Sequence, residues 1–324
     1  MDNFWKEWAH FFLGPLPASF TSLSPKVVTR DGVVVKEKVP LKTSVQLGFL
    51  HATWLGQQLA RTSLLRWYLA WTSAKLGTKY DSPESAGLIA HFIQAYGVDL
   101  SEIERDPQDY RTLNEFFSRR LRPDARPIHQ PRDPSCAVQP TDARLMVFES
   151  VSEATRVWIK GERFSLNTLC SNLWSPKQLE GCSLVLSRLA PQDYHRFHAP
   201  CEGSVRGVHH IPGEFYSVKP VAVNSPIDVY DCNKRAILEL DTPQFGEVLY
   251  IMIAAVQVGS IKLTAGSGES VKKGQELGWF QYGGSTVITV FRRGAIKYGA
   301  DLLQNSLQAV ETLVKMGSSL GTAL

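Results

Sequence analysis

Residues 281–291 read QYGGSTVITVF. The run Thr286-Val287-Ile288-Thr289-Val290 is β-branched throughout, a composition that suits a pleated, buried strand better than a helix. Before it, Gly283 and Gly284 meet Ser285, which places a hydroxyl beside the most permissive backbone in the chain. Two readings stand. Gly-Gly-Ser is a turn that launches a strand, or the Gly284–Ser285 bond is itself a reaction site.

Outward from this stretch the strand signal repeats. After about residue 130, β-branched runs alternate with Gly, Pro, Asn and Asp: ARLMVF, TRVWIK, SLVLSRL, SVRGVHHI, RAILEL, EVLYIMIAAV and GSIKLT. GSGESVKKGQELGWF, residues 266–280, resembles the hairpin of lipoyl- and biotinyl-type sandwich domains, and CEGSVRGVHHIPGEFYSV is a weaker echo of it. DLLQNSLQAVETLVKMG reads as a helical tail with Leu302, Leu307, Val310 and Val314 as its apolar stripe. On the other side, DSPESAGLIAHFIQAYG predicts a helix. Ser82 is its N-cap, Pro83 its first residue and Gly97 its stop, with Ala86, Ile89, Ile93 and Tyr96 on one face. TLNEFF predicts a capping box between Thr112 and Glu115, and the arginines of SRRLRPDARPI read most simply as a solvated surface. The expected fold is α+β: a helical N-terminal cap on a mainly antiparallel β domain with barrel-sandwich-hybrid hairpins. Its expected parts are residues 1–76, a membrane-contacting region, 77–130, a helical cap, and 131–324, the catalytic domain.

Lys and Arg number 35 against 31 Asp and Glu, and a net charge of +4 is too mild to point to nucleic acid. Five cysteines with no CxxC suggest reduced thiols and no zinc site. No uncharged apolar run is long enough to span a bilayer, and the opening MDNFWKEW fits neither a signal nor a transit peptide. Trp5, Trp8, Trp54, Trp67 and Trp71 nevertheless crowd the first 71 residues. Placed on a helix, residues 4–12 are expected to share an aromatic face, and residues 47–77 mix aromatics with Arg61, Arg66 and Lys75 and carry no acid. That is the composition of an interfacial anchor.

A hydroxyl nucleophile needs a base and an orienter for the base. DYHRFHAP, residues 193–200, supplies His195 and His198, and a spacing of three in a helical turn sets both rings on one side. No third ligand stands at metal spacing, so zinc is discounted. Asp142 in QPTDARLMVF sits at the mouth of a predicted strand, where a lone acid is most simply a turn residue.

In order, FFSRRLRPDARPI, PTDARLMVF, WIKGERFSL, DYHRFHAP, GEFYSVKPVAV, PQFGEVLYIMIAAVQVGSI, VKKGQELGWFQYGGST and NSLQAVETLVKMG resemble the phosphatidylserine decarboxylase family, from about residue 75 to 320. The GGST form is similar to the eukaryotic non-mitochondrial branch; Lys219 stands where that family has asparagine. The resemblance implies a triad of Asp142, His198 and Ser285. It also implies self-cleavage between Gly284 and Ser285 into a β chain, 1–284, and an α chain, 285–324. Ser285 then becomes a pyruvoyl cofactor, without a metal. Gly283 and Gly284 leave room for the attack, and Thr286 begins the strand that pins the new terminus. A Schiff base between the pyruvoyl group and phosphatidylserine releases CO2 and phosphatidylethanolamine, with His195 as proton donor. The implied setting is peripheral, on a cytosol-facing endomembrane (endosome, Golgi or vacuole) rather than the mitochondrial inner membrane; a homodimer is left open. A cytoplasmic aromatic amino-acid decarboxylase with the same triad, a serine hydrolase that keeps Ser285 intact, and a non-catalytic lipid-binding relic are the alternatives.

Overall fold

The computed structural model describes residues 26–35, 41–257 and 260–324; the aromatic helix expected over residues 4–12 lies outside the described residues. Two short strands, β1 (Val27–Thr29) and β2 (Val34–Val35), precede the helices α1 (Leu41–Ala52), α2 (Trp54–Ala60), α3 (Ser63–Tyr80), α4 (Ile89–Tyr96) and α5 (Leu113–Phe117). Strands β3 (Cys136–Val138) and β4 (Ala143–Phe148) lead to α6 (Val151–Val157). Then come β5 (Ser183–Leu189), β6 (Arg196–His198), β7 (Gly203–Ile211), β8 (Arg235–Thr242) and β9 (Gly246–Gln257). After them run β10 (Ile261–Leu263), β11 (Ser270–Val271), β12 (Glu276–Phe280), β13 (Gly283–Phe291) and β14 (Ile296–Tyr298). Helix α7 (Ala300–Leu307) precedes β15 (Glu311–Val314) and β16 (Ser319–Ala323).

Ten strands form one open sheet in the order β11-β7-β8-β9-β13-β5-β4-β15-β1-β2. The described pairings within it are antiparallel except β1 with β15. Two three-stranded sheets, β10-β12-β6 and β14-β16-β3, accompany it. The fold is therefore α+β with large antiparallel sheets and no closed barrel among the described residues. The QYGGSTVITVF strand lies between β9 and β5, near the sheet's centre, and this explains its unbroken β-branched run, which carries no charge: both faces are covered. Ile288 and Val290 pack into a core with Leu186, Ile251, Trp158 and Trp174. Val287 and Phe291 pack on the opposite face with Met252, Phe197 and Phe280. The two VKKG-like stretches pair with each other, since β11 meets β7 at Ser270–Ser204 and Val271–Gly203, while β12 pairs with β6 and β10.

Several expectations are corrected. TRVWIK is not a strand. Ser150 caps a helix by accepting from Glu153 N, and α6 then turns Ala154 into the core, with Trp158 and Ile159 just beyond it. The expected helical tail is half helix and half strand. Ala309, at φ 55, ends the turn after α7, and Glu311–Val314 joins β4 and β1; Leu307, placed in the stripe, is half exposed. Thr112 does accept from Glu115 N, but the Glu115 carboxylate turns to Arg111 N instead of closing the box. The Pro83 segment opens as a 3-10 turn with no side-chain cap from Ser82, before α4 ends at Gly97 in the left-handed conformation. Finally, Arg119 and Arg126 are 3% and 8% exposed, so the basic segment is only partly a solvated surface.

Helices α2 and α3 pack Ala60, Leu65 and Leu69 against the core. Their other side presents Trp54, Leu55, Leu59, Leu64, Trp67, Tyr68 and Trp71 to solvent, Trp54 at 74% and Trp67 at 61%. On α3 the exposed set follows the i, i+3, i+4, i+7 rule, so it is one stripe.

Candidate active site

The start of β13 is distorted. Gly283 pairs with Gln257 but Ser285 pairs with Ala254, so the register slips at Gly284, and Gly283 adopts φ 144, which a side chain rarely tolerates. Ser285 is fully buried, and its Oγ has no hydrogen-bond partner among the described residues. A buried hydroxyl without a partner costs about 1–3 kcal/mol; Thr286 and Thr289 of the same strand share that state, and what sets Ser285 apart is its place at the register slip after Gly283. Strand alternation gives Ser285 the face of Val287, with Phe197 and Phe280 in the layer above. Thr286 takes the other face, in a row with Arg188 of β5 and Arg144 of β4. Arg188 there forms a buried pair with Glu311, Nε at 2.8 Å.

His195 and His198 come from the layer above. His198 ends β6 and lies opposite Glu276 of β12, while the carbonyl of His195 accepts from Phe280 N at 2.9 Å. This corrects the helical-turn reading. His198 lies in a strand and His195 immediately precedes it, so a spacing of three separates the rings instead of aligning them. His195 is fully buried under Phe117, ring centroids 3.9 Å apart, and Nδ1 donates to Asp193 O at 2.9 Å. Its Nε2 has no partner among the described residues. Burial drives its pKa down to about 3, and Arg119 and Arg144 push the same way. His198 donates from Nδ1 to Gly274 O at 2.9 Å, and Nε2 meets Tyr194 Oη at 3.0 Å. Burial lowers its pKa too, against the pull of Glu276 and Asp142.

Asp142 directly precedes β4, and in the order β13-β5-β4 it stands at the same end of the sheet as Ser285. Two strand spacings put their backbones roughly 10 Å apart. The backbone N–H of His198 donates to Pro140 O at 2.9 Å, which brings the Asp142 loop alongside β6. The Asp142 carboxylate accepts from Arg126 Nε and Met316 N, both at 2.8 Å, and from Arg126 Nη2. Asp142 and Ser285 thus stand at one end of the sheet and His198 lies beside the Asp142 loop, but no hydrogen bond joins any two of the three among the described residues.

Sequence reasoning missed the supporting residues. Arg126 grips Asp142 and also binds Glu102 at 2.8 Å. Arg119 Nη2 donates to Gln192 O and Asp193 O, so it shares the latter carbonyl with His195. Asn114 accepts from Tyr282 N at 2.8 Å and donates to Asp81. The Arg signal was present, in a basic segment that leads straight out of a buried helix; Asn114 carried none. Among the described residues no group of His, Cys, Asp and Glu is arranged to hold a metal ion.

The sequence model of the family described as Phosphatidylserine decarboxylase matches residues 113–322. The chain is 40% identical over 298 residues, 91% of its length, to phosphatidylserine decarboxylase proenzyme 2 of Saccharomyces cerevisiae, of which it covers 26%. It is 40% identical over 323 residues to proenzyme 2 of Oryza sativa subsp. japonica, covering 98% of this chain and 52% of that one. To the phosphatidylserine decarboxylase proenzyme of Chlamydia felis it is 36% identical over 271 residues, 84% of this chain and 88% of the other. The chain therefore spans about a quarter to a half of the yeast and plant relatives and most of the chlamydial one. Matched over most of its length by family and relatives alike, this chain belongs to the phosphatidylserine decarboxylase family.

Proposed function

We propose that this protein is a self-processing phosphatidylserine decarboxylase that cuts itself between Gly284 and Ser285 and converts Ser285 into a pyruvoyl group. The observation that carries the proposal is the Ser285 hydroxyl, buried and unpartnered among the described residues, at the slipped, glycine-paired start of a central strand. That environment fits a residue kept for chemistry. His198 takes the Ser285 hydroxyl proton, and Asp142 behind it supports the resulting imidazolium. Oγ bonds to the Gly284 carbonyl carbon. The C–N bond then breaks as the nitrogen regains a proton from His198, leaving an ester. Loss of the Ser285 α-proton expels the Gly284 carboxylate, and water hydrolyses the dehydroalanine left behind to the pyruvoyl group and ammonia. Gly283 and Gly284 admit the attack without a Cβ in the way. Thr286 and the strand after it, paired on both sides, hold the new terminus in place.

The pyruvoyl ketone supplies an electron sink for departing CO2. His195 receives at Nε2 the proton that the substrate amine gives up on binding, and returns it to the carbon that loses its carboxylate. Burial keeps this ring neutral in the precursor form, so the proton it donates has to arrive with the substrate. The solvent-facing stripe from Trp54 to Trp71, with Lys75 4.1 Å from the Trp71 ring centroid, supports docking on a lipid surface. Among the described residues no helix is long and apolar enough to cross a membrane. The GGST form supports an endomembrane setting. The division at residues 76 and 130, and lipoyl-like hairpins supported by the mutual pairing of β7 and β11, belong to the same proposal.

Intact-mass analysis of the purified protein is the test. It should find a fragment of residues 285–324 with a keto-bearing terminus, and Ser285→Ala should yield one uncut chain. A wild-type chain that turns over phosphatidylserine uncut would overturn the proposal.

A further inference from the structure

The hydrogen bonds of His198 contain a restraint that its proposed role as base does not require. Gly274 O can only accept, so Nδ1 carries the proton and Nε2 is left with the lone pair. The Tyr194 phenol, buried and with its pKa pushed up by that burial, keeps its proton and donates it to Nε2 at 3.0 Å. Both ring nitrogens are therefore engaged, and the Ser285 hydroxyl stands without a partner among the described residues. Resting on the self-cleavage reading above, we propose that Tyr194 is a positioning residue that latches His198: its hydroxyl occupies the nitrogen that must take the Ser285 proton, and cleavage waits on its release.

The chemistry balances without a further reactant. When Tyr194 Oη–H turns away from Nε2, the lone pair accepts the proton of Ser285 Oγ, and the phenol keeps its own. Donation to the lone pair also stabilises the neutral ring, so the latch weakens the base while it covers it. The charged groups facing His198 are Glu276 from β12, paired with Arg196 at 2.7 Å, and Asp142 from the loop before β4, paired with Arg126. Neither pair involves the Tyr194 hydroxyl, so removing that oxygen leaves them in place.

The test is a time course of the 285–324 fragment after cell-free synthesis of the full chain, run from pH 5 to 8 on wild type, Tyr194→Phe and His198→Ala. Tyr194→Phe should cut about three- to tenfold faster, the equivalent of one ordinary hydrogen bond. The acid midpoint of its rate should move to higher pH, a change that a merely structural role would not produce. A fluorinated tyrosine placed at 194, a stronger donor of nearly the same shape, should cut more slowly than wild type; it decides the matter if the phenylalanine variant fails to fold. Tyr194→Phe cutting at the wild-type rate or slower, with an unmoved midpoint, overturns the latch. The controls separate the two readings. Wild type that never cuts, or His198→Ala that cuts normally, removes the self-cleavage mechanism and the latch with it. With normal wild-type cutting and a dead His198→Ala, the variants at position 194 alone decide the latch.

Discussion

The Tyr80 ring packs on the Tyr282 ring with centroids 4.5 Å apart, which ties the last turn of α3 to the residue two places before Gly284. Phe117 and Phe92 complete the aromatic cluster around Tyr282, at 5.0 and 5.8 Å. The helix that carries the exposed tryptophans therefore also buttresses the stretch proposed to break. Tyr80→Ala should lower stability by about 1–2 kcal/mol, since a paired aromatic contributes beyond its buried area. It should also slow the appearance of the 285–324 fragment. Urea unfolding of an uncut Ser285→Ala background measures the first effect, and a cleavage time course the second.

Trp67 and Trp71 stack at 6.1 Å on the solvent side of α3, where Trp71 also meets Tyr68 and Lys75, and neither ring belongs to the buried core. Replacing both with serine should leave self-cleavage and thermal stability unchanged. Binding to vesicles containing anionic phospholipid should fall at least tenfold, because two interfacial aromatics are lost. Vesicle co-sedimentation measures it, and unchanged binding would remove this face from the membrane contact.

Arg126 is buried with Asp142 on one side and Glu102 on the other, so removing it strands a carboxylate in the interior. Arg126→Met should destabilise the protein by about 3–5 kcal/mol. Arg126→Met combined with Asp142→Leu should recover much of that loss while leaving the chain uncut. Chemical denaturation of the single and double variants provides the comparison.

His51, on α1, is buried beside Ser225, and burial lowers its pKa from 6.5 to about 4. The unfolded chain therefore binds the proton more readily than the folded one. The contribution of this group is complete above pH 6.5, falls as the pH drops towards 4, and amounts to at most about 3 kcal/mol. His195, lowered to about 3, adds a loss of the same sign over the same range and slightly below it. Thermal melts from pH 7.5 to 4 should show falling stability, with a shallower slope in His51→Asn.

The sequence by itself determined what local chemistry can specify. Largely apolar runs made β4, β5, β8, β9 and β13 legible, because strands buried on both faces need apolar residues at most positions, while the half-exposed β7 showed through Val205, Val208 and Ile211 between turn residues. Gly97 stopped its helix through a backbone angle that few other residues accept. The motifs around Ser285, His198 and Asp142 identified the family before any contact was known. The tertiary structure decided the rest. TRVWIK has strand composition, but the Ser150 cap and the place of Trp158 in the core made it the end of a helix. The second half of the supposed tail helix became β15 because β1 and β4 offered it two edges to pair with. Whether an arginine is a solvated charge or a buried clamp depends on which distant carboxylate the fold delivers, and Arg126 and Asp142 meet only when the cap folds onto the sheet. The same holds for the histidines. Their spacing is written in the chain, but the atoms their rings meet, Gly274 O, Tyr194 Oη and Asp193 O, are set by how β6 lies against β12 and the cap.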